Sequence, residues 1–551
     1  MLGSSFLRSR AEAPRASNLR SFAEAQRPSP VWCAAALWVW ILPVLSMACG
    51  GDSDGAAQQA LDAQAAAPAS RSAMDAMVRR GNYLLDASVA PSDAMSARPA
   101  KDSAMSAPEP EPEAEVEPDA SVALGESMGA RDSAYLFDQS ALHTFELFLR
   151  NADLAKLDAD PTAEVYVPGQ LVFQGGLIPN VGIRYKGSTG SFLGCVSGGI
   201  FPPSGEKTCV KLGIKVKLDF GAKKTRFFGQ KKVQFHAMNL DRSLLRERLG
   251  YSLFNAVGVH APRTAHVRLL INGRLVGVFL LVEVIDDVFM KDRFEDQGAG
   301  NLYKEVWPVD DDAPRYLAAL EETGTKPASA AKFASFGREL AAADEKALPA
   351  VAARWLDLDY MARYLAVDRA IRHDDGPYHW YCGASLTGEP WHMQRNYAGE
   401  PCGNHNYFWY EEARRNKLWL IPWDLDLSLP VGSGLAQITS RWDDLSVDCT
   451  ELLPGGLSQQ MPIACDPLQR AFALALRERV RENMRELING PLSDQALDAT
   501  LSPWIAQLAP AVEEARLAHD SEQDITTWSA QVDSLRSALS DLREAAAASL
   551  L

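Results

Sequence analysis

One stretch constrains the fold more than any other: TAHVRLLINGRLVGVFLLVEVI, residues 264–285. Asn272-Gly273 interrupts two apolar, β-prone runs. That dipeptide supplies the positive φ angles a two-residue antiparallel turn needs. The stretch predicts a β-hairpin, and a hairpin this apolar has to be covered. Glu283 sits inside the run GVFLLVEVI. A buried glutamate needs a cation beside it.

The neighbouring segments supply more strands. HTFELFL reads as one, and NADLAKLDAD as a short helix with an Asx-type start. AEVYVPGQLVFQGGLIPNVGIRYKGST reads as three strands separated by two turns. VKLGIKVKLDF alternates apolar residues with Lys and Gly, as a half-buried strand does, and KKVQFHAM is another. SLLRERLGYSLFNAVGV predicts an amphipathic helix capped by Asp241 or Ser243 and ended near Gly258. After Trp307 the spacing turns helical through DAPRYLAALEETG, KFASFGRELAAADEKALPAVAARW and LDYMARYLAVDRAIRHDD. Two strands return at NYFWYEEA and KLWLIPWDLDLSL, and helices continue to the C-terminus. Strands, then a mixed region, then helices give an α+β fold.

Composition separates this region from what precedes it. Residues 1-49 carry arginines and then an apolar run from Val31 to Met47, as an export signal does. LSMAC resembles a bacterial lipoprotein cleavage box, with Cys49 as the lipidated residue and Ser46 where leucine is usual. Residues 50-132 are rich in Ala, Pro and Glu, so they predict an extended, solvated linker. The folded domain is expected over 133-545. Six cysteines remain beyond the leader, at 195 and 209, 382 and 402, and 449 and 465. In an exported chain they predict three local disulfides in that pairing. The expected location is the cell surface, the periplasm or the medium, with membrane attachment only through the N-terminal lipid or signal. A net charge of −16 argues against nucleic acid as a partner.

Several residues could carry chemistry. Asp424 and Asp426 in KLWLIPWDLDLSLP are two apart, so an extended chain would point both carboxylates one way. Such a pair suits Mg²⁺ or Mn²⁺, although a strand-end aspartate capping a turn is the plainer alternative. Asn406 in NHNYFWY offers an amide oxygen to the same ion, or satisfies backbone. RAIRHDDG places Asp374 and Asp375 on a turn after a helix, where a carboxylate serves as general base or simply suits the turn. Arg184 and Lys186 run into a Gly/Ser loop, Lys215 and Lys217 share one face of the next strand, and Lys304 follows in GNLYKEV. These are phosphate contacts or an ordinary lysine-bearing strand face. A lysine held by Glu283 and aimed at phosphates would match the protein-kinase arrangement. Motifs of serine hydrolases, P-loop proteins and zinc sites are missing from the sequence.

Taken in order, VGIRYKGST, VKLGIKVKLDF, LINGRLVGVFLLVEVID, GNLYKE, HDDG, HNYFWY and IPWDLD resemble the spore coat protein H (CotH) kinase family. The resemblance implies a reduced, atypical protein-kinase-like fold. It also implies ATP with Mg²⁺ or Mn²⁺, and a protein acceptor rich in Ser or Thr. It assigns catalysis to Asp374 or Asp375, metal to Asp424 with Asp426 and Asn406, and nucleotide to Glu283 with Lys304, Lys215 or Lys217. Arg184 or Lys186 would reach phosphates. The insertion between HDDG and NHNYFWY departs from the pattern. Export, to a space poor in ATP, leaves two competitors: a non-catalytic surface-binding module on the same fold, and nucleotidyl transfer at the same metal site.

Overall fold

The computed structural model describes residues 132–199, 202–221, 225–324, 326–383, 394–429, 438–455 and 458–550. The expected export segment, Cys49 and all but the last residue of the linker lie outside the described residues.

Seven strands close into a barrel in the order β1-β2-β3-β4-β5-β7-β6. They are β1 (His143–Phe148), β2 (Val167–Phe173), β3 (Gly176–Tyr185), β4 (Ile214–Lys217), β5 (Lys232–His236), β6 (Thr264–Ile271) and β7 (Arg274–Val282). Parallel pairing of β1 with β6 completes the ring. The β6–β7 hairpin turns at Asn272 (φ 50°) and Gly273 (φ 76°), as its sequence demands. Alternate residues point inward. Phe145, Phe173 and Phe235 fill the interior, with the Phe145 ring 4.7 Å from Phe173 and 5.1 Å from Phe235. Each such aromatic pair contributes about 1 kcal/mol beyond its buried area. From Val278 onward β7 is apolar because both faces are covered. Phe279 and Leu281 face the barrel core, while Val278, Leu280 and Val282 face a second, larger core.

That second core is built from helices and two smaller sheets. Helix α1 (Asn151–Ala159) precedes β2; α2 (Arg246–Ala256) links β5 to β6; α3 (Asp287–Arg293) follows β7. The sheet β14-β13-β8-β9 comprises β8 (Asn301–Lys304), β9 (Leu320–Thr323), β13 (Tyr407–Glu412) and β14 (Lys417–Pro422). Helices α4 (Ala331–Ala342), α5 (Leu348–Trp355) and α6 (Leu358–Ala370) lie between β9 and β13 in the chain. A five-stranded sheet holds β10 (Tyr381–Cys382), β11 (Arg395–Tyr397), β12 (Glu400–Gly403), β15 (Leu453–Pro454) and β16 (Gln459–Gln460). The chain ends in α7 (Pro467–Ala475), α8 (Arg477–Asn489), α9 (Asp494–Ala518) and α10 (Ile525–Ala548). The α+β class is therefore observed: a seven-stranded barrel first, a helical part last.

The three disulfides are Cys195–Cys209, Cys382–Cys402 and Cys449–Cys465. Cys382 and Cys402 are direct cross-strand partners of β10 and β12, so this bridge ties the base of the insertion. No helix among the described residues is long and apolar enough to cross a membrane.

Three local expectations fail. Residues 163–189 hold two strands rather than three. Pro179-Asn180 does not reverse the chain: an extra residue of β3 is absorbed opposite Gln170 as the register shifts between Gly169 and Leu171. LEET, read as helical, is strand β9, because pairing with β8 overrides its propensity. Most important, β14 stops at Pro422. Asp424 adopts a left-handed conformation (φ 50°, ψ 68°), and Leu425–Leu427 form a 3₁₀ turn. Asp424 and Asp426 are therefore not same-facing residues of one extended strand.

Candidate active site

The site forms where α2, the end of β5, the β3–β4 connection and the turn after β14 meet. Asp241 anchors the start of α2: one carboxylate oxygen accepts from the Arg246 amide at 2.7 Å, the other from the Ser243 hydroxyl at 2.6 Å. Gly250 lets α2 approach the 3₁₀ turn. A Cβ there would lie 2.9 Å from Leu425 Cδ1 and 3.3 Å from Leu425 Cβ. One helical turn before Gly250, Glu247 enters the site; one residue after it, Tyr251 does. The Tyr251 hydroxyl accepts from the Asp424 amide at 2.9 Å, which holds the left-handed bend, and donates to Glu247.

Four carboxyls collect around that bend: Asp424, Asp426, Glu247 and Asp375. Dense protein around Asp424 raises its pKa, and the charges of Glu247 and Asp375 raise it further against His236 and Lys186. Asp426 is pushed well above the usual carboxylate range, first by burial, then by Asp424, Glu247 and Asp375. Burial brings Glu247 up to about 7, although Lys186 opposes the shift. Ligand atoms of His236, Glu247 and Asp424 all lie within 4.8 Å of one another. An oxygen-rich set whose members resist ionising together fits a hard divalent cation. Mg²⁺ and Mn²⁺ both suit these donors. Both ring nitrogens of His236 are engaged, Nε2 with Lys186 Nζ at 2.7 Å and Nδ1 with Glu247 at 2.9 Å.

The turn after α6 delivers its two aspartates to different neighbours. Asp375 joins the acid group. Its carboxylate accepts from the Tyr381 hydroxyl at 2.5 Å and from Asn406 Nδ2 at 2.8 Å. Asp374 is buried and accepts from Arg372 at 3.1 Å; burial brings its pKa to about 6, against the lowering effect of Arg372. It lines a cavity among α8, α10 and residues 438–443 instead. Asn406, expected as a metal ligand, uses its amide nitrogen to hold Asp375, while its backbone amide donates to Glu305 at 3.1 Å.

The basic residues separate in the same way. Lys186 is held by His236 and feels the charges of Asp424 and Glu247, with its ammonium 5.2 Å from the Trp423 ring centroid. Lys304 lies 3.6 Å from Glu305, whose charge is the main cause of its raised pKa. Lys215 pairs across β3–β4 with Arg184; burial and then Lys232, Lys186 and Arg184 lower its pKa to about 8. Arg184 contacts Glu164 at 2.7 Å, and Lys217 reaches Asp219 at 4.0 Å. Lys186 and Lys304 thus act on Asp424 and Lys215 on His236, whereas Arg184 and Lys217 lie against Glu164 and Asp219.

Glu283 is a correction. Its side chain is buried, but its cations are Arg263 (Nε 3.1 Å) and Arg293, not a lysine. The expected Lys–Glu283 pair does not form, because Arg263 and α3 bring guanidinium groups to the end of β7 first. The sequence reading missed His236, Glu247, Tyr251, Tyr381 and Trp423. Glu247 carried the one available signal: an acid on the buried face of an amphipathic helix.

The family profile described as "CotH kinase protein" matches residues 183–544, about two-thirds of the chain. Among curated proteins the chain is similar to the inner spore coat protein H of Bacillus subtilis (strain 168). The two are 25% identical over 202 residues, which is 36% of this chain and 50% of that protein. The chain thus spans about half the length of that relative. With a match of this extent, over β4 to β7 of the barrel, the acid group and the helical part, the chain belongs to the CotH kinase family.

Proposed function

We propose that the protein is a metal-dependent protein kinase of atypical, reduced kinase-like fold, moving the γ-phosphoryl group of ATP to a Ser or Thr hydroxyl of a partner protein. The observation that carries this reading is the meeting of Asp375 with Asp424, Asp426 and Glu247, residues distant in the chain, beside Lys186. Asp424 and Asp426 would hold Mg²⁺ or Mn²⁺. Such an ion, when bound, neutralises and orients the phosphates. Lys186, with Lys215 and Lys304 around it, adds positive charge where the transferred group becomes most negative. Asp375 accepts the acceptor's proton; Tyr381 and Asn406 fix its orientation, so it meets the hydroxyl without reorganising. Asp374, tied to Arg372, is assigned to holding the turn. Three disulfides support an extracytoplasmic domain, and we assign attachment to a lipid at Cys49.

The test is transfer of ³²P from γ-labelled ATP to the protein itself or to a Ser-rich acceptor, with each metal. We expect incorporation that needs the metal and is lost in Asp375→Asn and Asp424→Asn. No incorporation by a folded sample with either metal overturns the reading. Disulfides also favour a second reading, a surface-binding module, since an oxidising space is poor in ATP. In that case partner binding survives both substitutions.

A further inference from the structure

The kinase-type arrangement holds its lysine with a glutamate directly, and here that direct pair is replaced. We propose that His236 is a positioning residue: interposed between Glu247 and Lys186, it holds the Lys186 ammonium beside Asp424 without cancelling its charge. The inference rests on the phosphoryl-transfer reading above, in which Lys186 meets phosphate.

Lys186 Nζ lies 2.7 Å from His236 Nε2. His236 Nδ1 lies 2.9 Å and 3.0 Å from the two Glu247 oxygens. In the proposed distribution of protons both end groups keep their charge. The ammonium donates to the Nε2 lone pair, and Nδ1–H donates to the carboxylate. The imidazole is then neutral and its tautomer is fixed by the glutamate. Trp423 closes another side. Its ring faces the ammonium at 5.2 Å and meets the imidazole edge-on at 5.5 Å. The ammonium is seated on two neutral rings, not on a carboxylate.

The chemical consequence is specific. A lysine paired directly with glutamate shares its charge with that partner. A lysine hydrogen-bonded to a neutral imidazole is oriented as firmly but keeps its full charge for an anion. Trp423 directly precedes Asp424. One short segment therefore seats the lysine and presents the acid, which couples the position of the phosphate contact to that of the metal ligand. His236 and Glu247 need touch neither nucleotide nor metal to act in this way.

Two measurements on the full chain test the proposal. Histidine-selective ¹⁵N NMR of the metal-free protein reads the tautomer directly; the His236→Gln spectrum identifies the signal by its loss. A neutral ring protonated at Nδ1 is expected. An imidazolium, or a ring protonated at Nε2, overturns the proposal. The second measurement compares His236→Leu with His236→Gln, whose amide supplies one donor and one acceptor in place of the ring. With metal present, His236→Leu should raise the dissociation constant of a fluorescent ATP analogue, and KM for ATP, about tenfold. His236→Gln should recover nucleotide affinity, and melting curves check that both variants are folded. Equal effects of both variants, or an effect on kcat alone, overturn it. If the wild type binds no nucleotide, the kinase reading fails, and the NMR result decides the hydrogen-bond chain by itself.

Discussion

Two acid clusters in this molecule, each with a buried glutamate, are solved in opposite ways. At the end of β7, one glutamate, Glu283, meets two guanidinium groups, those of Arg263 and Arg293. Burial alone would raise its pKa, yet the arginines bring it below the usual carboxylate value. At the turn after β14, Asp424, Asp426, Glu247 and Asp375 crowd one lysine, and three of them are pushed upward. The first cluster is electrostatically complete and closed by packing. The second is incomplete as folded, and Asp424, Asp426 and Lys186 are only half-buried. A buried acid is therefore uninformative by itself; what separates a structural ion pair from a cation site is whether the chain supplies the countercharge.

The largest effect expected from this contrast is on activity. Asp424→Asn should reduce phosphoryl transfer by about 10³-fold, the scale for removing one preorganised electrostatic group. Its stability should hold or improve, because one repelling acid is gone; urea unfolding checks this. Glu283→Ala should do the reverse. Stripping two arginines of their shared partner costs about 3 kcal/mol in urea unfolding, while transfer per folded molecule persists. A large loss of stability in Asp424→Asn with none in Glu283→Ala would dissolve the comparison.

Smaller effects sharpen it. Mn²⁺ at a hundredfold excess over its Kd should stabilise the wild type by about 2.7 kcal/mol, seen as a rise in melting temperature. Glu283→Ala should retain that rise and Asp424→Asn should lose it. The two clusters should also respond to pH with opposite sign. Glu247 has a folded pKa of about 7, above its unfolded value, so between those values the folded state binds more protons. In metal-free protein its contribution therefore weakens as pH rises from the unfolded carboxylate range to about 7. Glu283 is depressed, so its contribution is present above the unfolded value and is lost as pH falls through the folded one. Melting curves of Glu247→Gln and Glu283→Gln across about pH 2 to 8 should flatten these two slopes separately.

Local signals carried much of the fold. Asn272-Gly273 announced the hairpin, and the spacing of the six cysteines announced their pairing. Periodicity located α4, α5 and α6 because their apolar faces pack on one core. What failed was decided by contacts distant in sequence. LEET became a strand only because β8 lies beside it. The bend at Asp424 is held by Tyr251, 173 residues earlier in the chain. Glu283 was correctly read as needing a cation, but nothing local distinguishes a lysine from Arg263 and Arg293. The acids of PWDLD and HDDG were legible as candidates; Glu247 and His236 were not, since an acid in a helix and a histidine ending a strand are unremarkable until the barrel brings them together.

The central claim is that Asp424 and its neighbouring carboxylates hold a divalent ion for nucleotide phosphates. The most direct measurement is anomalous scattering from crystals grown with Mn²⁺ and a non-hydrolysable ATP analogue. The account predicts a manganese peak bonded to Asp424 or Asp426, with analogue phosphates between it and Lys186. Ordered nucleotide or manganese bound elsewhere, with those carboxylates still facing only protein, would contradict it.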